Sequence, residues 1–303
     1  MVVRPRPGVF RMLVTMRGSI VPRILPQMLY AAGLGALVAS GHAIWPATLP
    51  AYSFAPFAVF GISLSIFLGF RNNAAYDRWW EARREWGTLV AEVRSLARAT
   101  ATFIAPDAPE RRRLLHLAVV FAHSLRGSLR DEDVTADTQP WRDPCDAIVY
   151  SRYRVPAASV LRTMGEDLYR MRVRDVLDLT GARVLDERLA AFASVQASCE
   201  RISNTPLPFA YALLVHRTAY VYCFLLPFAI VSTVGWCTPL FTAIVAYTFF
   251  GLDALSEELE EPFGHADNDL ALNALCRTIE IEVAEATGKT PPQALRAEEF
   301  VLT

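Results

Sequence analysis

The chain has 303 residues, is 53% hydrophobic and 20% charged, and carries a formal net charge of −1. A balance so close to zero gives no electrostatic footprint for nucleic acid. The five cysteines are odd in number and scattered, which excludes a zinc motif or a disulfide framework by spacing. The charges are distributed very unevenly. Between Ile24 and Phe70 the only Asp, Glu, Lys, Arg or His is His42, and between Thr218 and Leu252 there is none. Both runs exceed the roughly 20 apolar residues that cross a bilayer.

In chain order, residues 1–23 form a basic segment, predicted to lie on the inner membrane surface. It is not followed by a short apolar core and cleavage site, so it does not read as a removable signal. Residues 24–71 predict a first membrane hairpin. Its spans run from about Ile24 to Ile44 and from about Phe54 to Phe70, around the turn Trp45-Pro46-Ala47-Thr48-Leu49-Pro50. Ala31 to Ala36, with Gly33 and Gly35, suits close helix contact. Residues 72–205 predict a cytosolic helical region. Ala75–Thr102 puts Trp79, Trp86, Leu89, Val90, Val93 and Leu96 on one broad face. Glu110–Arg126 is a second amphipathic helix with Gly127 as its stop, Pro140–Pro144 is a loop, and Pro156–Val173 and Leu185–Ile202 are further helices. Residues 206–256 predict a second hairpin that turns at Gly235–Pro239, with Pro227 inside its first helix. Residues 257–303 supply an acidic loop, a short helix from Leu270 to Glu285 and a polar tail.

The arginines flank the spans and not the turns: Arg4 to Arg23 before the first span, Arg71 to Arg84 after the second, Arg201 and Arg217 before the third. By the positive-inside rule both chain ends face the cytoplasm. The predicted location is the inner membrane, with multiple passes.

The most ordered stretch is the second span. Ile62, Ile66 and Phe70 recur every four residues, and Gly61, Ser65 and Gly69 recur at the same interval one residue earlier. On a helix these are adjacent stripes, one bulky and one small. Two readings fit. Both stripes are packing, with the bulky one against lipid or a neighbour. Alternatively, the small stripe packs helix on helix and the bulky stripe faces a shared axis, forming a hydrophobic constriction. Arg71, Asn72 and Asn73 follow at once. They serve either as donors that draw an anion to that axis or as anchors and caps.

The acidic segment Glu257–Asp269 offers oxygen ligands of the kind calcium prefers, but without EF-hand spacing. The competing reading is a solvated loop or pairing with the arginines of residues 71–84. His116, His123 and His216 lie far from any cysteine or carboxylate motif, and no Ser-His-Asp pattern, nucleophile elbow or phosphate loop is present. The sequence therefore names no catalytic residue.

Three strings resemble landmarks of the bestrophin family, in its bacterial branch: Gly69–Gly87 (GFRNNAAYDRWWEARREWG), Glu200–Tyr211 (ERISNTPLPFAY) and Glu260–Leu272 (EEPFGHADNDLAL). Their order and spacing agree along almost the whole chain. The resemblance implies an all-α membrane protein, a homopentameric ion channel with four transmembrane helices per subunit and a cytosolic helical region. It implies a pore neck at Ile62, Ile66 and Phe70, and a second, cytosolic constriction near Arg183 or Val184. It also implies a calcium clasp after the Pro-Phe-Gly landmark, where Asp269 matches one carboxylate and Ala266 replaces another. Calcium is thus possible but not expected to be needed, and no other cofactor is implied. The partners are the lipid bilayer, further copies of the chain and monovalent ions. Chloride or a similar anion is the expected cargo. The alternatives are a sodium-type cation channel of the same fold, and a membrane-anchored accessory or metal-dependent protein without conductance.

Overall fold

The computed structural model describes residues 1–4, 8, 10, 15–16, 18–45, 53–142 and 155–303. Pro46–Pro50 of the predicted turn, residues 5–7, 9, 11–14 and 17 of the basic N-terminal segment, and Asp143, Pro144 and Cys145 lie outside them. The described residues are mainly helical: α1 (Val21–Ile44), α2 (Phe54–Phe103), α3 (Pro109–Arg130), α4 (Pro156–Val173), α5 (Leu179–Asn204), α6 (Phe209–Val234), α7 (Thr238–Glu260) and α8 (Leu272–Ala286). Short turns of helix lie at Thr135–Thr138, Gln139–Trp141 and Gly235–Cys237. No strand forms among them, only isolated bridges. Two compact units divide the chain, one of residues 4–79 and 206–261, the other of residues 1–3, 80–205 and 262–303.

The first unit is built for a non-aqueous solvent. It holds α1, the start of α2, α6 and α7, and its apolar stretches are long enough to cross a membrane. The core is Ile24, Ala31, Leu64, Leu68, Val215, Ala219, Tyr222, Leu226, Ala246, Phe249 and Phe250. Equally bulky residues face outward: Leu29, Tyr30, Leu37, Val59, Leu214, Phe224, Leu240 and Ile244 are all exposed. A contiguous apolar exterior of that kind marks a surface that meets lipid or another chain. α6 and α7 fold back on each other about Gly235, where φ is +52°. The ring pairs Tyr220–Phe250 (4.7 Å) and Tyr222–Phe249 (5.2 Å) fix their antiparallel register. α1 crosses α7 closely at Gly35, where a Cβ would lie 2.9 Å from Pro239 Cα. Backbone cannot yield there, so only glycine fits. At Gly33, its neighbour in the same small-residue run, a Cβ would meet none of the described residues within 4 Å.

The second unit follows the rules of water-soluble helices. α3 is its centre, buried almost continuously from Leu114 to Gly127. Phe121 stacks on Phe192 of α5 at 5.3 Å, and His123 Nε2 meets Glu280 Oε1 of α8 at 2.7 Å. Arg130 donates to the carbonyls of Phe263 and Leu270. Burial lowers the pKa of its guanidinium below the ordinary value. The same burial pushes the Cys276 thiol up to about 12, so it stays protonated and unreactive.

Helix limits depart from expectation: α7 runs on to Glu260, into the predicted acidic loop, and two further helices differ. α3 continues past Gly127 and ends at Asp131, which takes a left-handed φ of +54°. Gly127 is inside the helix because the returning chain passes close to it: a Cβ there would meet Val134 Cγ1 at 2.8 Å and Glu132 O at 2.9 Å. α5 begins six residues before the predicted Leu185, because Asp178 caps it by accepting from Gly181 N at 2.7 Å.

Candidate functional site

The start of α2 carries the candidate pore residues. Its inward face is Gly61, Leu64, Leu68, Arg71 and Ala75, all buried at helical spacing. Ile62, Ile66 and Phe70 are 62%, 51% and 61% exposed. The bulky stripe is therefore turned away from the unit's own core. Of the small stripe only Gly61 packs inside the chain, where a Cβ would lie 2.6 Å from Tyr222 Oη. Ser65 is exposed and closes its hydroxyl on Gly61 O at 2.8 Å. A Cβ on Gly69 would meet none of the described residues within 4 Å. An open groove of about 470 Å³ runs beside the bulky stripe, lined by Gly61, Ile62, Ser65, Ile66, Tyr222 and Phe249.

Where the apolar part of α2 ends, a polar cluster locks the helix. Arg71 is 2% exposed, and its Nη1 is bound to Asp253 Oδ1 of α7. Its Nη2 lies 3.8 Å from Glu260 Oε2. The other Asp253 oxygen meets His216 Nδ1 at 2.6 Å. Asn72 donates to the carbonyls of Leu68 (3.0 Å) and Leu252 (3.2 Å). Arg78 Nε donates to Glu260 O at 2.6 Å, and Glu260 Oε1 accepts from Leu207 N at 3.0 Å. Tyr211 Oη donates to Phe67 O at 2.8 Å. Residues of all three landmark strings meet in this cluster.

For Arg71 these contacts favour the anchor over the donor reading. Its charge is buried and balanced by two carboxylates, so it fixes α2 against α7. Asn72 is committed to backbone carbonyls, and of the three only Asn73 is exposed. The carboxylates of α7 do pair with arginines: Glu260 with Arg71, and Glu257 with Arg23. Sequence reasoning missed Asp253 and His216. Asp253 ends an uncharged run of 35 residues, 218–252, and a carboxylate at the end of an apolar helix requires a partner. His216, Asp253 and Glu257 come within 4.8 Å of one another, although their spacing in the chain did not suggest a group. With Arg71 and Arg23 already in place, they form an ion-pair network.

Two further sites belong to the other unit. Arg183 and Val184 lie in the first turns of α5; Arg183 is exposed and pairs with Glu187 at 3.4 Å, and Val184 is half-buried. Asp269 is buried and accepts from Ala266 N at 2.7 Å, closing the turn after Pro262-Phe263-Gly264.

A family profile described as Bacterial/Fungal Bestrophin protein matches residues 1–285. The chain is a bestrophin of this branch. A voltage-dependent anion channel-forming protein of Mesorhizobium japonicum is 53% identical over 300 residues, 99% of this chain and 96% of that one. The voltage-dependent anion channel-forming protein YneE of Escherichia coli K12 is 37% identical over 310 residues, the full length of both. The crystal structure of a bacterial bestrophin homologue from Klebsiella pneumoniae superposes with a TM-score of 0.85 at 35% identity, covering 88% of this chain and all of that one. The all-α membrane fold is therefore that of the bacterial bestrophins.

Proposed function

We propose that this bestrophin is an anion channel, passing chloride or a similar monovalent anion through a neck formed by α2. One observation carries the reading: the stripe Ile62-Ile66-Phe70 is exposed on a helix whose opposite face is locked by the buried Arg71–Asp253 pair. A pore helix must be held rigidly from behind while presenting its lining outward. Five copies around an axis would bring the stripes together as three apolar rings, with the groove beside each stripe receiving the neighbouring α2. Such rings select by dehydration and not by field, so the sign of the ion is set by charges outside the neck. The names of the relatives favour the anion. The arginine bias around the spans supports an inner-membrane topology with both chain ends in the cytoplasm.

Calcium is not required in this proposal. The Asp269 carboxylate closes its own turn, and Ala266 offers no side-chain ligand. For the cytosolic constriction, near Arg183 or Val184, the only support is the family resemblance.

Purified protein in planar bilayers under a potassium chloride gradient tests the function. A reversal potential near the chloride equilibrium value supports it. One near the potassium value transfers the fold to cation transport, and silence from intact protein removes the channel reading. Calcium added on the cytoplasmic side should leave the current unchanged.

A further inference from the structure

Away from the candidate pore, the second unit contains an open cavity of about 610 Å³ between the start of α3 and the end of α4. That volume is within the range of small-molecule sites. Its lining is strongly one-signed: among the described residues six are Arg or Lys, and only Glu110 and Asp167 are acidic. Asp167 is already shared by Arg113 (2.7 Å) and Arg170 (3.0 Å). Arg112 on α3 and Arg174 just past the end of α4 line the cavity, are exposed, and make no ion pair among the described residues. Lys289, the only lysine in the chain, comes in from beyond α8 and lies 5.9 Å from the centre of the Trp141 ring.

Clustered like charge raises the energy of the fold unless an anion offsets it. His116 lies 3.3 Å from Lys289 Nζ and edge-on to Trp141 at 5.3 Å. Burial first, then Lys289 and Arg112, bring its pKa down to about 4. His116 is therefore neutral at physiological pH and able to donate one N–H to an incoming anion. Guanidinium forks from two directions match the several oxygens of a phosphate group. Trp141 supplies an apolar platform, and the cavity is roomy enough for an organic body beside the phosphate.

We propose that this cavity binds a phosphorylated metabolite carrying at least two negative charges. Arg112, Arg174 and Lys289 hold its phosphate oxygens, and Trp141 contacts its organic part. The site does not depend on the pore reading, since binding is measured on solubilised protein without ion flux.

The test is calorimetric titration of the full-length protein in detergent at fixed ionic strength. Inorganic pyrophosphate is the minimal probe, a bisphosphorylated sugar tests for the organic body, and citrate and chloride are controls. Saturable pyrophosphate binding, weakened about ten-fold or more by Arg174→Gln and again by Arg112→Gln, is the expected result. Tighter binding of the sugar bisphosphate identifies a metabolite in place of free phosphate. Lys289→Gln lies outside every helix and should fold normally, so its loss of affinity carries the test if the arginine variants unfold. Pyrophosphate binding no stronger than chloride, citrate binding as tight as pyrophosphate, or affinity unchanged in Lys289→Gln overturns the proposal.

Discussion

Helix α2 runs unbroken for 50 residues, yet its two halves obey opposite rules. From Trp80 onward it is an ordinary amphipathic helix: Trp86, Leu89, Val93 and Leu96 are fully buried, and Arg84, Arg94 and Arg98 are exposed. Before Trp80 the arrangement inverts. Ile62, Ile66, Phe67 and Phe70 face outward, and a charged residue, Arg71, is among the most buried side chains of the chain. What differs is the solvent each half was selected for. In water, apolar area seeks the interior. In a bilayer it gains nothing by hiding, and helix contact is decided by close packing and by polar groups that must find partners.

The contrast can be broken most severely from the inside of either half. Arg71→Ala strands Asp253 without its guanidinium and should cost about 3–5 kcal/mol of stability. Adding Asp253→Asn should recover part of that loss, which thermal unfolding in detergent would show. In the other half Trp86→Ala should cost a similar 3–5 kcal/mol or so, through a cavity and not through charge, with no second-site rescue of that kind. Gly61→Val presses a branched side chain on Tyr222 and should cost about 1–3 kcal/mol. Gly69→Ala, in open space, should stay within about 0.5 kcal/mol. If the two glycine variants proved equally harmful, Gly69 would be packed by another copy of the chain.

Alanine at Ile62, Ile66 and Phe70 should change the stability of the single chain as little, within about 0.5 kcal/mol per site. The same changes should raise single-channel conductance several-fold. Unchanged conductance in planar bilayers would mean that the stripe faces lipid. The mildest effect is on pH dependence. His116 has a folded pKa of about 4 against an ordinary 6.5, so the unfolded chain takes up its proton first. Its contribution is present above 6.5 and is lost as the pH falls toward 4. His116→Gln should flatten the decline of melting temperature with pH across that window.

The second half of α2 was legible because its apolar residues are spaced for water, and five of the six chosen for its face are buried; Trp79 is only half-buried. The first half was harder. Where nearly every residue is apolar, hydrophobic periodicity does not say which face is inside. The answer depends on Gly61, which admits Tyr222, and on Arg71, whose partner is 182 positions away. α3 was read as two-faced, but it is surrounded. His123, Ser124 and Arg126 are inside with the leucines, and Glu280, the partner of His123, lies 157 positions on. The cap of α5 at Asp178 was available in the sequence, as an acceptor three residues before Gly181. The basic cavity was not, since it is assembled from α3, α4, the turn at Trp141 and Lys289.

The continuity of α2 has a mechanical consequence. After Pro56 the helix contains no proline, and helices bend sharply at few other features. No proline hinge therefore lies at the depth of Ile62, Ile66 and Phe70, although Gly61, Ser63, Ser65 and Gly69 do. A bore lined by them would widen either by bending at these small residues or by flips of the three side chains between rotamers. The second route is local and fast, on the order of nanoseconds at exposed positions. Flicker on that scale is far below the time resolution of an amplifier, so a bore governed by it would look steadily open.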